Sequence, residues 1–359
     1  MDKPQPDQVE ISIFGPGYGE CILIHCGNDE WIIIDSCLNE RTKEVSALEY
    51  LNNIQVSYDA VKLLVVTHWH DDHIRGLSQI IENCPKAEIV ISEAFCEEEF
   101  LEIAALYQGH DDLGVSEFSK LWAYLYENSK YPKRAIGIRS LLQKESELNH
   151  LKYKVESLSP SDAAIMLSNC GVANLLPKRP TVKELPFLKR RIKSLTPNFA
   201  AVVLLVTIND IQILLGSDLE NSQDENIGWL AILKSGINCE AQIFKIPHHG
   251  SETGENPLIW RDLLIKDPLS VTTPFVRGKI KLPTPDDIER IKSNSGEAYL
   301  TAAPITKKAK TDHFIDKMLK EDVKYRAIVN PHFGHVRLRR KNNCESSWEV
   351  QLSADAIKL

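Results

Sequence analysis

The segment His68-Trp69-His70-Asp71-Asp72-His73 packs three imidazoles and two carboxylates into six residues. It follows VKLLVVT at 61–67, an apolar run whose branched residues predict a buried strand, and it precedes IRGLSQIIENC, whose apolar spacing predicts a helix. The cluster therefore stands at the carboxyl end of a strand, where α/β sheets place their sites. In extended backbone, residues two apart point the same way, so His68 and His70 can converge on one cation while Trp69 turns elsewhere. Asp72 and His73, past the turn into the helix, can serve a neighbouring cation. The competing reading is a polar strand-to-helix loop with an aspartate cap, but burying so many imidazoles without a metal would be costly.

Two more polar groups close apolar runs. IQILLGSDLE places Asp218 after a strand, a position where an aspartate taken alone is more often a cap or turn residue. CEAQIFKIPHHGS places His248, His249 and Ser251 after the next one. Adjacent histidines there supply at least one candidate ligand, and the residues alone leave open which of the pair it is. The other could donate to a phosphate. Asp35, closing WIIID, reads on its own as a plain turn residue.

The elements that must position these groups are legible as a rhythm. VEISIF, CILIHC and WIIID, separated by GPGYGE and GNDE, predict three strands in a meander. ALEYLNNIQ predicts a helix and EIVIS at 88–92 a strand. From about 93 to 150 the pattern turns helical and aromatic (FSKLWAYLYENSKY, IRSLLQKESELNHL), which predicts a helical insertion or cap within a single domain spanning 1–359. GPGYGE, a glycine loop with no helix after it, is not a phosphate cradle and reads as structural. Strand-like runs return from YKVESLSP onward. The last third predicts helices at PDDIERIKSN and HFIDKMLKE and strands at SVTTPF, AYLTA, RAIVN, HVRLRRK and SWEVQLS. The simplest architecture is two sheets packed face to face with helices outside.

Composition bounds the function. With 359 residues, 43% hydrophobic and 26% charged, the chain can bury a large core. Eight scattered cysteines without a CxxC pair suggest reduced thiols and a cytoplasmic setting. The polar start and the lack of any apolar run near the roughly 20 residues of a membrane helix predict a soluble protein without a membrane partner. A net charge of −8 argues against coating nucleic acid with the whole surface. The run Lys178–Lys193, with seven Lys or Arg against one Glu, could still line a phosphate groove or be a solvated linker.

HxHxDH followed by IRGL resembles the signature of the metallo-β-lactamase superfamily. GPGYGECILIH, WIIIDS, LLGSDLE and FKIPHHGS are similar to the soluble metallo-β-lactamase domain of the DNA-uptake competence protein family. The resemblance implies an α/β fold, a four-layer αββα sandwich, and two Zn²⁺, with Mn²⁺ or Fe as substitutes. His68, His70, Asp72, His73, Asp218 and His249 would be the metal ligands. Asp218 would bridge the two ions, Asp35 would orient the histidine loop, and Asn198 and Ser251 would stand in the second layer or face substrate. The pattern departs in two places. No histidine stands convincingly between the HxHxDH loop and Asp218, since His110 and His150 read as solvated. Leu282 occupies a position where competence domains tend to have histidine. His332 and His335 could approach the site, although a C-terminal strand with two exposed histidines is the plainer reading. His25 and His313 have no supporting neighbours.

The chemistry that follows is metal-dependent hydrolysis, with a phosphodiester or nucleic acid as the expected substrate. Asp72 would hold the attacking water, and whichever of His248 and His249 is not a ligand would assist the leaving oxygen. A small ester, thioester or lactam is the alternative substrate, with the 96–150 segment as a lid. A non-catalytic protein in which metal staples the fold is a further alternative.

Overall fold

The computed structural model describes residues 2–16, 19–96, 114–173, 197–277, 280–304, 332–342 and 346–359. Strands β1 (Gln8–Gly15), β2 (Cys21–Gly27) and β3 (Glu30–Ile34) form the expected antiparallel meander. β4 (Val61–Val66), β5 (Glu88–Ser92) and β6 (Lys133–Ala135) add in parallel. The second sheet is built from β7 (Arg139–Ser146), β8 (Leu151–Ser157), β9 (Leu204–Ile208), β10 (Ile211–Leu215), β11 (Ala241–Lys245) and β12 (Leu264–Thr272). β13 (Phe275–Arg277) and β14 (Ile280–Leu282) pair as a small hairpin, and β15 (Glu297–Leu300) joins β12. β16 (Gly334–Lys341) and β17 (Glu349–Ala354) return to the first sheet beside β1, while β18 (Ile357–Lys358) ends the second. The two eight-stranded orders are β17-β16-β1-β2-β3-β4-β5-β6 and β18-β15-β12-β11-β10-β9-β8-β7.

Alternation along the strands explains the layering, because successive side chains leave opposite faces. Ile32, Ile34, Leu63 and Val65 meet Leu204, Val206, Ile213 and Ile243 in the core between the sheets. Their neighbours Ile33, Leu64 and Val66 face outward, against helices α1 (Ser46–Asn53) and α3 (Leu77–Asn83), with the short α2 (Asp71–Ile74) between them in the chain. α4 (Gly114–Glu127) joins that same layer through Phe118 and Leu121. The outer face of the second sheet, including Leu214 and Phe244, is covered by α6 (Gly228–Lys234), α7 (Pro257–Asp262) and α8 (Pro285–Asn294); α5 (Asp162–Ala173) precedes them in the chain. The result is a mixed α/β sandwich of helices, sheet, sheet and helices, the four-layer arrangement expected from the sequence. Strands sealed on both faces read as continuous apolar runs, which is why the core was visible in the sequence.

One part of the helical reading of 93–150 is corrected. Residues 133–135 and 139–146 are strands, not helix, and β7 is an edge strand pairing with β8. Its residues RSLLQKES are good helix formers, mostly exposed, and the backbone pairing offered by β8 outweighs that weak local preference. Residues 97–113, within the expected cap, lie outside the described residues, as do the basic run 178–193, His110, His313 and the segments HFIDKMLKE and RAIVN, expected as a helix and a strand. Seven of the cysteines are described, and none of them forms a disulfide among the described residues. Among the described residues no helix is long and apolar enough to cross a membrane.

Candidate metal centre

β3 and β4 are parallel neighbours, as are β10, β11 and β12, so their carboxyl ends lie side by side at one edge of the sandwich. Asp35 follows β3, the Thr67–His73 loop follows β4, Asp218 follows β10, His249 follows β11 and Thr273 follows β12. Trp69 turns into the core beneath the helices, leaving His68 and His70 on the other side with ring centroids 5.0 Å apart. His73 and His68 rings lie 4.2 Å apart.

The ligand atoms fall into two groups that share one carboxylate. His68, His70 and Asp218 form one; Asp72, His73, Asp218 and His249 form the other; within each, the ligand atoms lie within 4.8 Å of one another. Asp218 Oδ2 stands 3.9 Å from His68 Nε2 and 3.5 Å from His249 Nε2, while its Oδ1 stands 3.5 Å from His73 Nε2. His249 Nε2 is also 3.3 Å from Asp72 Oδ2. His68 Nε2, His73 Nε2 and Asp218 Oδ1 are buried without a hydrogen-bond partner among the described residues. Orphaned buried polar atoms are costly, and these three aim at one another at spacings too long for direct bonds. Imidazole nitrogens and carboxylate oxygens are the donor set that divalent zinc prefers, so these residues fit the metal pair.

The imidazoles are held from behind. Asp35 Oδ2 accepts from His73 Nδ1 at 2.7 Å and from the Thr67 hydroxyl at 2.7 Å, and its Oδ1 accepts the Thr67 N–H at 2.8 Å. A carboxylate gripping Nδ1 fixes the ring so that Nε2 points into the site. His68 Nδ1 meets the Thr67 hydroxyl at 3.0 Å, and His249 Nδ1 donates to the Thr273 carbonyl at 3.0 Å. The His249 ring stacks on Phe275 at 5.0 Å. Between the two adjacent histidines the geometry is unequal: His249 faces the carboxylates, whereas His248 Nδ1 meets Thr253 Oγ1 at 3.0 Å and Glu220 Oε1 at 3.5 Å. His248 Nε2 lies 3.5 Å from Asn198 Nδ2. Ser251 stands further back, accepting from Thr253 N–H and touching its hydroxyl at 3.1 Å.

Charge follows position. Burial pushes the pKa values of His68 and His70 below the ordinary imidazole range. Burial also opposes charge on His249, but Asp218 and Asp72 outweigh it and raise its pKa to about 10. His73 is raised in the same way, against burial, by Asp218 and Asp35. Burial would lift Asp72 and Asp218, yet the facing imidazoles bring both below the carboxylate range. Burial dominates at Asp35 and raises it.

Four residues around the centre take left-handed backbone without being glycine: Asp35 at φ 59°, Ser217 at 46°, His248 at 46° and His249 at 56°. Each conformation of that kind costs on the order of 1 kcal/mol or more, and such outliers gather where side-chain aim matters.

The remaining histidines need sorting. His335 is not exposed as expected: it is buried on β16 between β17 and β1, stacked 4.2 Å from Phe14, and burial lowers its pKa to about 3. A strand with neighbours on both edges and cores on both faces hides even its polar residues. His332 instead lines a cleft beside the centre with Asp72, His249, Phe275 and Glu40, whose carboxylate accepts the His332 N–H at 2.6 Å. His150 is exposed in a turn, and His25 is buried in β2 against Trp31. Leu282 lies in the β13–β14 hairpin. Thr67, Thr273, Glu220, Thr253 and Glu40 carry contacts here that the sequence reading missed; only adjacency to the histidine and aspartate motifs could have marked Thr67, Glu220 and Thr253.

Residues 14–118 match the family model described as the metallo-beta-lactamase superfamily. No curated protein matches the chain. Among solved structures, the metallo-beta-lactamase fold protein YhfI from Bacillus subtilis is similar at 11% identity, covering 66% of this chain and 70% of that one, with a TM-score of 0.32. Human tRNase Z, short form, is similar at 10% identity over 66% of this chain and 76% of that one, with a TM-score of 0.34. A Cronobacter sakazakii metallo-beta-lactamase with a HARLDQ motif is similar at 12% identity over 67% of this chain and 74% of that one, again with a TM-score of 0.34.

Proposed function

We propose that the protein is a metal-dependent hydrolase whose substrate is a phosphodiester, nucleic acid included. The observation that supports it is the pair of ligand groups sharing Asp218, with buried nitrogen and oxygen atoms that lack a hydrogen-bond partner among the described residues. His68, His70 and Asp218 would hold one ion, and Asp72, His73, Asp218 and His249 the other. Bound there, a pair of divalent cations supplies Lewis acidity toward water and compensation for anionic charge developing on the substrate. Asp72 orients the attacking water by hydrogen bonding. His248, which faces Thr253, Glu220 and Asn198 rather than Asp72 and Asp218, would donate to the leaving oxygen. The phosphodiester assignment draws on the likeness of LLGSDLE and FKIPHHGS to the competence domains.

A second reading, a small ester, thioester or lactam, draws on the cleft. Among the described residues its lining contains Glu40, Phe275, Val276 and His332 and no lysine or arginine, which suits a small or weakly charged substrate better than a polyanion. Incubating zinc- or manganese-loaded protein with single- and double-stranded DNA, RNA, cyclic dinucleotides and aryl esters separates the two. Phosphodiester cleavage that disappears in Asp218→Ala is the expected result. Cleavage of esters alone overturns the substrate, and no cleavage of any kind favours a metal-stapled, non-catalytic protein.

A further inference from the structure

Beneath the centre lies an ion pair that no step above uses. Lys245, the last residue of β11, is fully buried, and its Nζ lies 2.8 Å from Glu20 Oε1, which is itself 2% exposed. The contact is close but lacks hydrogen-bond alignment at the ammonium, and Glu20 Oε2 has no partner among the described residues. Removing two charges from water is expensive, and a pair with unsatisfied atoms recovers that cost poorly; apolar residues of similar volume are often as stable or more so. Stability alone therefore gives no reason for a lysine in the apolar run AQIFKI.

Its connections do. Glu20 belongs to the β1–β2 loop of the first sheet, and its N–H donates to the Asp72 carbonyl at 2.7 Å. Gly19, just before it, is at φ +128° and lies so close to the Asp72 backbone that a Cβ would collide with that carbonyl. Lys245 belongs to the second sheet. Its carbonyl accepts the Gly216 N–H at 3.0 Å, two residues before Asp218, and its chain runs through Pro247 into His248 and His249. The His248 N–H in turn donates to the Ser217 carbonyl at 3.0 Å. The ion pair thus links the backbone that carries Asp72 to the backbone that carries Asp218 and His249.

We infer that Glu20 and Lys245 are positioning residues for the second metal group: an inter-sheet strut that sets the separation of Asp72 from Asp218 and His249. His68 and His70 come from one loop, so only Asp218 ties the first ion to that separation, whereas in the second group Asp72 and His73 face both Asp218 and His249 across it. The inference rests on the proposed metal pair. Its consequence is selective, in that loss of the strut weakens the ion held by Asp72, His73, Asp218 and His249 more than the ion held by His68, His70 and Asp218.

The test is a zinc titration against a chelating dye, with the thermal midpoint measured in parallel, on the full chain and on Lys245→Met, Glu20→Gln, the double variant Glu20→Leu/Lys245→Met, and Lys245→Arg. The wild type is expected to bind two equivalents. Lys245→Met should lose about tenfold to 100-fold in the step that His249→Ala abolishes, the range seen when a residue supporting a metal ligand is removed, with a far smaller change in the other. The double variant should recover the thermal midpoint lost in the single ones without recovering that zinc step, and Lys245→Arg should retain much of it. Recovery of both midpoint and zinc binding in the double variant makes the pair a packing element and overturns the inference. Equal weakening of both steps overturns it as well. A wild type that binds no zinc fails the metal reading itself and the inference with it.

Discussion

Four imidazoles surround one shared carboxylate, and they do not enter the site in the same state. His68 and His70 are kept neutral by burial and are ready to ligate, whereas His249, at about 10, and His73 are held protonated by the carboxylates they face. A cation entering the second group must displace those protons. Its affinity should therefore rise with pH by about tenfold per unit for each proton released, up to pH 10 or so, while the first group responds less. Zinc titrations between pH 6 and 9 would show this as one steep and one shallow step, and two parallel steps would contradict it. The linkage runs the opposite way in the metal-free protein. The folded-state pKa of His249 exceeds the ordinary 6.5, so its pairing with Asp218 and Asp72 stabilises fully below 6.5 and is lost as pH rises through about 10. The thermal midpoint of chelator-treated protein should fall over that window. At the adjacent pair, His249→Ala should remove one zinc equivalent, whereas His248→Ala should keep both and lower turnover by about 10² to 10⁴, the usual contribution of a positioned proton donor. Metal content with a single-turnover assay distinguishes them.

At the scale of elements, the loops matter as rigid brackets. Gly19 lies against the Asp72 backbone at a φ that side chains rarely adopt, so Gly19→Ala should destabilise by about 1–3 kcal/mol or more and weaken zinc binding together. Urea denaturation and the dye titration read these separately, and an unchanged zinc affinity would mean that the bracket is not needed. The same elements explain what the sequence could reveal. Runs such as WIII and KLLVV are sealed on both faces, so their hydrophobicity is continuous and their strand character plain, and the HWHDDH loop is adjacent in sequence and so reads as a unit. β7 was hidden because an exposed edge strand has no apolar alternation to read, and its partner β8 supplies the deciding hydrogen bonds. The roles of His249 and His248 were hidden because both follow the same strand; only a left-handed turn, absent from any local pattern, sends one toward Asp218 and the other toward Thr253. Glu20 and Lys245 lie 225 positions apart, and no spacing rule connects them.

Over the whole molecule, the centre joins two sheets that also meet through apolar packing and a few polar contacts such as Glu20–Lys245 and Glu30–Tyr153. Ligands from both sides mean that zinc should stabilise the folded chain globally, by about 2.7 kcal/mol when free metal exceeds its dissociation constant a hundredfold. Calorimetric scans with and without chelator test this: one transition moving as a whole is expected, and a midpoint indifferent to zinc would count against the site. The topology carries a further consequence, in time rather than in space. β1 is laid down first, yet one of its two neighbours is β16, and β17 completes the sheet beyond it. A chain growing from its amino end exposes the open edge of β1 until more than 300 further residues have been made. The first sheet, and with it the loop holding His68 to His73, must therefore wait for the last strands. Synthesis leaves this protein carrying an unpaired, apolar strand edge for most of its length, the condition under which nascent chains come to depend on chaperones.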